Sequence, residues 1–271
     1  MKKECIINEV GKLSDDVYML NIHAPGIAEK AVPGQFVSVY TRDDAHLLPR
    51  PISICDIDYK DKNLTLVYRT VGYGTTEFSR LIPGNRISIM GPLGNGFDAA
   101  FDGQSFASPI LIGGGIGIPP MLALAKSFRE KTLPSELKDG ESPFVTAVLG
   151  YRDRHTFLRE RFEEVCDEVL ISSDDGSVGT KGTVIDALSA SGIKGDVICA
   201  CGPMPMLRGV KQYGIDNDVQ AFISLEEKMA CGIGACLGCV CDTTAVDDHS
   251  KVTNARICKD GPVFPSKMVA I

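Results

Sequence analysis

The sequence predicts a multidomain chain of class β plus α/β, with an antiparallel β-barrel, a parallel-sheet α/β domain and a small cysteine-rich segment at the C-terminus. Short apolar runs separated by turn residues fill the first hundred residues. Beyond them, strand-like and helix-like runs alternate, and five of the ten cysteines follow residue 230. We therefore expect the barrel at residues 1–100, the α/β domain at 101–220 and the cysteine-rich segment at 221–271.

The barrel prediction depends on the spacing of its strands. Turn signals such as Ala-Pro-Gly at 24–26 and Val-Pro-Gly at 32–34 separate the apolar runs. Several short strands at this spacing are typical of a small antiparallel barrel. The predicted strands cover residues 5–9, 17–21, 35–40, 51–56, 64–69 and 86–90.

Two motifs in the barrel are candidates for binding a phosphate or a planar ring. Arg50 stands between two prolines and is followed by Ile52 and Ser53, which makes a stiff platform. Residues 72–76 form a glycine-containing turn with two threonines before a helix predicted at 77–81, where free N–H groups would suit a phosphate. A proline-rich strand edge and an ordinary capped helix are the alternatives.

The α/β domain begins with a buried strand at 109–112, a glycine-rich turn at 113–121 and a helix at 122–130. Alternation of strands and helices predicts a parallel sheet with helices on both faces. The further predicted elements are strands at 144–150, 168–172, 197–201 and 219–224, and helices at 156–166, 184–189 and 204–213.

Two turns at the carboxyl edge of this sheet predict a dinucleotide crevice. The first, at 114–117, lacks the third glycine of the full fingerprint because Ile118 takes its place, so it is a weak signal by itself. A second turn, at 201–203, follows a later strand. An ordinary strand–helix turn is the alternative for each, but two on one edge favour a cofactor site. The candidate residues are Gly114, Gly115, Gly117, Cys201, Gly202 and Pro203.

Four cysteines have the spacing of a plant-type iron–sulfur site. Cys231, Cys236 and Cys239 give C-x4-C-x2-C, and Cys258 supplies a distant fourth thiol. A [2Fe–2S] cluster needs four such ligands, because two irons share two sulfides and each iron needs two more thiolates. Intervening glycines allow the backbone to curl and to point N–H groups at sulfur.

Other interpretations of the cysteines are weaker. Structural zinc prefers two C-x2-C pairs, and this segment contains one. A Rieske site needs two histidines, and His249 is the single histidine near the cysteines. Cys241 interrupts the ligand spacing and is assigned as a bystander.

Composition limits the partners and the location of the chain. A net charge of −7 argues against nucleic acid, and no apolar run is long enough for a membrane span. The N-terminus has no signal-peptide pattern, and cysteines in apolar strands are expected to be reduced thiols. We therefore expect a cytoplasmic protein.

Four motifs occur in a fixed order: Arg-Pro-Ile-Ser at 50–53, Gly-Tyr-Gly-Thr at 72–75, Gly-Gly-x-Gly-x-x-Pro at 114–120 and Cys-Gly-Pro at 201–203. Together they resemble the ferredoxin–NADP reductase superfamily, in which an FAD-binding barrel precedes a nicotinamide-binding α/β domain. The cysteine segment from residue 225 onwards is similar to that of the electron-transfer subunits of class B dihydroorotate dehydrogenases. This resemblance covers essentially the whole chain.

The resemblance implies FAD, a [2Fe–2S] cluster and NAD as cofactors. It implies that the metal ligands are Cys231, Cys236, Cys239 and Cys258, with Cys241 an additional thiol nearby. The implied FAD contacts are Arg50, Pro51, Ile52, Ser53, Val67, Tyr68, Arg69, Gly74 and Thr75.

The resemblance also implies a function in pyrimidine (UMP) biosynthesis. In the family a partner chain holds FMN and oxidises dihydroorotate, and two copies of each chain form a heterotetramer. Electrons then pass through the cluster and FAD to NAD+. This chain would be an oxidoreductase subunit without a catalytic acid or base of its own, and its four histidines are scattered.

Two other functions stay open at this point. The first is an electron-transfer subunit of a hydrogenase, a ferredoxin:NADP transhydrogenase or a glutamate synthase. The second is a non-catalytic, zinc-stabilised binding module. NAD against NADP is also open, because residues 151–154 offer an acid for a ribose diol and basic groups for a 2′-phosphate, although the family resemblance favours NAD.

Overall fold

The structure is a computed structural model that describes residues 2–43, 45–130, 142–246 and 251–271. These residues form a closed six-stranded barrel, a seven-stranded sheet and a two-stranded sheet. The predicted fold class is therefore confirmed. His249 lies outside the described residues. Within them, no helix combines the length and the apolar character that crossing a bilayer requires.

The barrel is antiparallel throughout and closes in the order β1-β2-β5-β4-β3-β6. Its interior is filled by alternate side chains of each strand, among them Leu20, Ile22, Ile54 and Leu64, which are fully buried. The strands are β1 (Lys2–Lys12), β2 (Val17–His23), β3 (Phe36–Tyr40), β4 (Arg50–Asp58), β5 (Asn63–Arg69) and β6 (Arg86–Leu93).

Two short helices of the barrel region differ from the sequence prediction. Helix α1 spans Tyr73–Phe78 and starts before the predicted 77–81. It starts early because the Thr75 hydroxyl accepts hydrogen bonds from the N–H groups of Val71 and Gly72, at 3.0 and 3.2 Å. Helix α2 (Phe97–Phe101) was not predicted, and it forms where two phenylalanines enter the core shared with the α/β domain.

The α/β domain has the sheet order β10-β9-β8-β7-β11-β12-β15, parallel except at β15. The carboxyl ends of β7 and β11 are adjacent, since Cys201 pairs with Gly113. The strands are β7 (Pro109–Gly114), β8 (Thr146–Tyr151), β9 (Glu168–Ser173), β10 (Thr180–Lys181), β11 (Val197–Cys201) and β12 (Gln220–Ser224). The helices are α3 (Ile118–Arg129), α4 (Arg159–Val165), α5 (Val184–Ser191) and α6 (Met204–Asp216).

The barrel and the α/β domain share one apolar core. Cys55 and Val67 of the barrel are buried in the same cluster as Leu122 of α3. At the edge of this contact the Lys126 ammonium lies 2.5 Å from the Asp56 carboxylate of β4. Burial of this apolar surface holds the two domains together, and the ion pair adds a smaller contribution at its edge.

The C-terminal segment joins both preceding domains. Strands β13 (Val240–Asp242) and β14 (Asn254–Arg256) form a hairpin, and β15 (Val263–Pro265) pairs antiparallel with β12. The Asn95 side chain, just after β6, donates to the carbonyls of Lys259 and Asp260 at 3.1 and 3.2 Å. Strand β12 continues the α/β sheet to Ser224, and the domain limits at 100 and 220 stay predictions.

Candidate functional site

Four cysteines converge at the C-terminal segment as two pairs of thiols. The Cys236 N–H donates to Cys231 Sγ, and the Cys258 N–H donates to Cys239 Sγ, each at 3.4 Å. Among the described residues, no three metal-ligating side chains meet as closely as a single ion requires. Two pairs of thiolates are what the two irons of a [2Fe–2S] cluster need, so the donor set fits that group.

The two pairs differ in their surroundings. Cys236 is exposed and Cys231 is partly exposed, whereas Cys239 and Cys258 are each 2% exposed. Hydrogen bonds from the N–H groups of Ile233, Cys236 and Ala235 lower the pKa of Cys231 to about 6. Burial, followed by the hydrogen bond with Cys239, raises the pKa of Cys258 to about 12. The segment therefore presents one pair to solvent and keeps the other inside the fold.

Backbone N–H groups also point at the other sulfur atoms of the set. Gly234 donates to Cys258 Sγ at 3.1 Å, and Gly238 donates to Cys236 Sγ at 3.4 Å. Donors of this kind stabilise thiolates and orient them toward a metal. Cys241 lies instead on strand β13, where it pairs with Ala255, and burial raises its pKa.

The first candidate flavin motif is assembled from β4 and α1. The Arg50 side chain donates to the Leu48 carbonyl and lies over Gly74, where an added Cβ would be 2.8 Å from Arg50 Nε. Gly74 is therefore required for the close approach of the arginine. Pro51 and Ser53 are partly exposed on the same strand, and Ile52 is buried. The structure thus brings together Arg50, Gly74 and Thr75, which the sequence placed in two separate motifs.

Residues 67–69 face three different surroundings. Val67 is buried in the core shared with the α/β domain, whereas Tyr68 is buried in the barrel. The Tyr68 hydroxyl is buried without a hydrogen-bond partner among the described residues, as a contact with a bound group would require. Arg69 pairs with Asp16, with Nε and Oδ2 3.0 Å apart, and lines the cleft between the domains.

Both nucleotide turns lie at the carboxyl edge of the sheet and contact each other. A Cβ on Gly117 would lie 2.3 Å from the Cys201 carbonyl oxygen, so the two turns pack backbone against backbone. Gly115 has a φ of 53°, and a side chain there would enter open space. A pyrophosphate needs such a bare backbone surface, so this edge fits a dinucleotide.

The cleft beside this edge has a volume of about 530 Å³ and is bounded by both domains. Arg69 lines it from the barrel, and Gly115, Arg152 and Asp153 line it from the α/β domain. Hydrogen bonds from the His155 N–H and imidazole lower the pKa of Asp153. The carboxylate and the basic group that the sequence offered for the ribose or its 2′-phosphate, Asp153 and Arg152, therefore both line the cleft. The Asp153 carboxylate is held by hydrogen bonds from His155 of the same loop.

Cys201 is fully buried at the end of β11, and burial raises its pKa. Glu226, directly after β12, also raises the pKa of Cys201 through its charge. Although the Glu226 side chain is accessible to solvent, the surrounding protein desolvates it and raises its pKa. The Cys201 thiol is thus buried in the protein core, beneath the turns of the carboxyl edge of the sheet.

Sequence patterns missed some residues that shape the site. Ser38 on β3 is buried beside the cysteine loop, and its hydroxyl has no hydrogen-bond partner among the described residues. Asn95 anchors the loop that carries Cys258. A lone serine in a strand and a lone asparagine after one belong to no recognisable motif, so neither could be identified from sequence patterns.

Similarity to known proteins covers the whole chain. Residues 226–270 match the family model described as the iron–sulfur cluster binding domain of dihydroorotate dehydrogenase B. The chain is 40% identical over 262 residues to the dihydroorotate dehydrogenase B (NAD(+)) electron transfer subunit of Geobacillus sp. (strain WCH70), covering 96% of this chain and 95% of that one. The subunit of the same name from Fusobacterium nucleatum is 37% identical, over 99% of this chain and 98% of that one.

Solved structures show the same architecture. A chain from the structure of an NADH-dependent reduced ferredoxin-NADP oxidoreductase aligns with a TM-score of 0.82 and 27% identity, covering 98% of this chain and 89% of that one. A ferredoxin NADP+ reductase from Neisseria gonorrhoeae, with bound FAD and NADP, aligns with a TM-score of 0.64 over 79% of this chain and 91% of its own; at 15% identity this likeness concerns the fold alone.

The paired thiols account for the match over residues 226–270, and the barrel with its α/β partner accounts for the structural likeness. Relatives that are 35–40% identical over at least 95% of their own length extend the match to the complete chain. The chain therefore belongs to the family of electron transfer subunits of dihydroorotate dehydrogenase B (NAD(+)).

Proposed function

We propose that this chain is a subunit of an NAD-linked dihydroorotate dehydrogenase of pyrimidine biosynthesis. A catalytic partner oxidises dihydroorotate, and this chain carries the electrons from that partner to NAD+. The proposal rests on one observation. The four thiols form one exposed pair and one buried pair, next to a barrel that contains the candidate flavin motifs. When bound, a [2Fe–2S] cluster transfers single electrons and a flavin links single-electron transfer to hydride transfer.

The exposed pair of thiols supports docking of the partner. Ile233 is 53% exposed and Leu237 is 62% exposed, and both belong to the loop that carries Cys231 and Cys236. Apolar side chains around an exposed ligand are suited to burial against a second protein. We expect the partner to contain FMN, and two copies of each chain to form a heterotetramer.

In the barrel, Arg50 supplies a fixed positive charge for the flavin diphosphate, since it is held over Gly74 and by the Leu48 carbonyl. Ser53 and Thr75 add hydroxyl groups, and the buried Tyr68 hydroxyl supplies a further donor. These residues bind and orient, and no side chain is required as an acid or base.

At the α/β edge, the bare backbone of Gly114, Gly115 and Gly117 and the turn at Gly202 and Pro203 receive the nicotinamide dinucleotide. We favour NAD over NADP because the relatives are named as NAD(+) enzymes. A cytoplasmic location is part of the proposal, since the expected substrates are soluble metabolites.

The test is purification of the tagged chain from its native cells, followed by an assay of dihydroorotate-dependent NAD+ reduction. We expect a brown eluate that contains FAD, FMN, two irons per chain and a second polypeptide. A matched sample of the Cys258→Ala variant should lose the activity. A brown FAD protein that elutes with a different partner and without this activity would contradict the pyrimidine assignment.

One observation favours a second candidate function. The 27% identical chain of the NADH-dependent reduced ferredoxin-NADP oxidoreductase covers 98% of this chain, including the cysteine segment. An assay of the same eluate for the reduction of NADP+ by NADH together with reduced ferredoxin distinguishes this function from the first.

A further inference from the structure

Strand β3 separates the barrel interior from the cysteine-rich segment. Val37 and Val39 point into the barrel core, whereas Phe36 is buried in the core that contains Cys239 and Cys258. Ser38 shares the outward face with Phe36, because alternate side chains of a strand lie on the same face. It is only 1% exposed, so a hydroxyl is buried within an otherwise apolar contact.

The Ser38 hydroxyl has no partner among the described residues, a property that it shares with the buried hydroxyls of Tyr68 and Ser172. Ser38 Oγ makes no hydrogen bond within the described part of the chain. The Ser127 hydroxyl, also buried, donates to the Ala123 carbonyl at 2.8 Å. Buried hydroxyls nearly always find a partner, and leaving one without is costly. The acceptor for Ser38 is therefore expected outside the polypeptide.

Ser38 lies between the two predicted cofactor sites. On one side it pairs across the sheet with Pro51, in the strand that contains Arg50 and Ser53. On the other side it contacts the cysteine loop, where a Cβ on Gly232 would be 2.9 Å from Ser38 Oγ. Gly232 directly follows Cys231, so the hydroxyl is next to the backbone of a predicted iron ligand.

We propose that Ser38 donates a hydrogen bond to an inorganic sulfide of the bound [2Fe–2S] cluster, and that this bond raises the reduction potential of the cluster. The inference rests on the proposed function. The three backbone donors to Cys231 Sγ all belong to residues 233–236, and the barrel contributes none of them. Through Ser38, the flavin-binding barrel supplies a hydrogen-bond donor to the cluster site.

The physical effect follows from charge. Reduction adds an electron to the cluster, and a hydrogen bond to sulfur stabilises that extra negative charge. Loss of the hydroxyl should therefore lower the potential of the cluster without changing its ligands. Because the flavin is not the acceptor, its own potential should stay unchanged.

The experiment compares the Ser38→Ala holoprotein with wild type in a redox titration followed by EPR for the cluster and by absorbance for the flavin. We expect the electron equilibrium between cluster and flavin to move toward the flavin by roughly three- to tenfold, where tenfold corresponds to about 59 mV for one electron. The cluster EPR signal should change in shape, and the iron content should stay at two per chain.

Two variants serve as controls. Ser38→Thr keeps the hydroxyl on a strand residue and should keep the wild-type potential. Ser172→Ala removes a different buried hydroxyl without a described partner, on β9 of the α/β domain, and should leave the cluster signal unchanged.

An unchanged cluster potential and EPR signal in Ser38→Ala would overturn the proposal, since the hydroxyl would then be satisfied by water. A shift of the flavin potential alone would overturn it as well, and would assign the hydroxyl to the flavin. If Ser38→Ala fails to assemble, a lowered potential in Ser38→Thr relative to wild type would count against the proposal, and an unchanged one would support it. Failure of the proposed function would be visible separately, as a wild-type protein without a [2Fe–2S] signal.

Discussion

The cysteine loop and the nucleotide cleft are built in opposite ways. Three of the four thiols lie within nine residues, 231–239, and hydrogen bonds from the loop's own backbone orient the sulfur atoms of Cys231 and Cys236. The cleft instead needs Arg69 from the barrel and Gly115 and Asp153 from the α/β domain, which lie 46 and 38 residues apart in successive steps. A local site depends on spacing, whereas a distributed site depends on how two domains pack.

This difference predicts how each site fails. A change in the loop should remove one cofactor completely and leave the other in place, because each predicted loop ligand would bond directly to the metal. A change at the cleft should weaken binding by a graded amount, because several elements share the contact.

The largest effect is expected for Cys258→Ala. Removing one of the four predicted ligands should abolish the [2Fe–2S] absorbance and EPR signal, while flavin content stays near wild type. The matched control is Cys241→Ala, which removes the neighbouring half-buried thiol on β13 and should keep the cluster. Iron and flavin analysis of both purified variants checks this, and the opposite pattern would reassign the fourth ligand to Cys241.

A smaller effect is expected for Arg50→Ala. Loss of a charged hydrogen-bond donor costs about 1.5–3 kcal/mol, which corresponds to roughly 10- to 100-fold weaker FAD binding. Fluorescence of released flavin on dilution measures the affinity. Arg80→Ala removes the same charge from an exposed position just after α1 and should leave FAD bound. Equal flavin occupancy in both variants would show that Arg50 does not contact the diphosphate.

The smallest effect is expected for Gly117→Ala. The new methyl group would lie 2.3 Å from the Cys201 carbonyl and would push the two nucleotide turns apart. Overpacking of this kind costs about 1–3 kcal/mol, so NADH should bind about tenfold more weakly while FAD and the cluster stay bound. Gly209→Ala is the control, because its Cβ would meet Ile185 at an ordinary 3.6 Å. Unchanged NADH affinity in Gly117→Ala would place the dinucleotide elsewhere.

Regular patterns made most of the fold predictable. The six barrel strands and five of the six parallel strands of the α/β domain were predicted because alternation and turn residues mark them locally, whereas the two-residue strand β10 was missed. Helix α2 was missed because its two phenylalanines follow a glycine-rich stretch, and tertiary packing rather than local propensity makes it a helix. The pairing of β15 with β12 joins residues about 40 apart, and a three-residue strand has no period to detect.

The candidate sites were predictable to different depths for the same reason. The spacing of Cys231, Cys236 and Cys239 contains the chemistry of the cluster. The closeness of Arg50 to Gly74, and of Ser38 to Gly232, exists only after distant segments pack together. Sequence patterns named the residues on both sides of the contact between Arg50 and Gly74, but only Gly232 in the contact between Ser38 and Gly232.

The pairing of β15 with β12 has a consequence for solubility. Without the C-terminal segment, β12 would be an edge strand of the parallel sheet, with a row of unpaired N–H and C=O groups open to another chain. Strand β15 covers that edge with three residues that follow Cys258 closely in sequence. The segment that gathers the thiols therefore also protects the nucleotide domain from self-association.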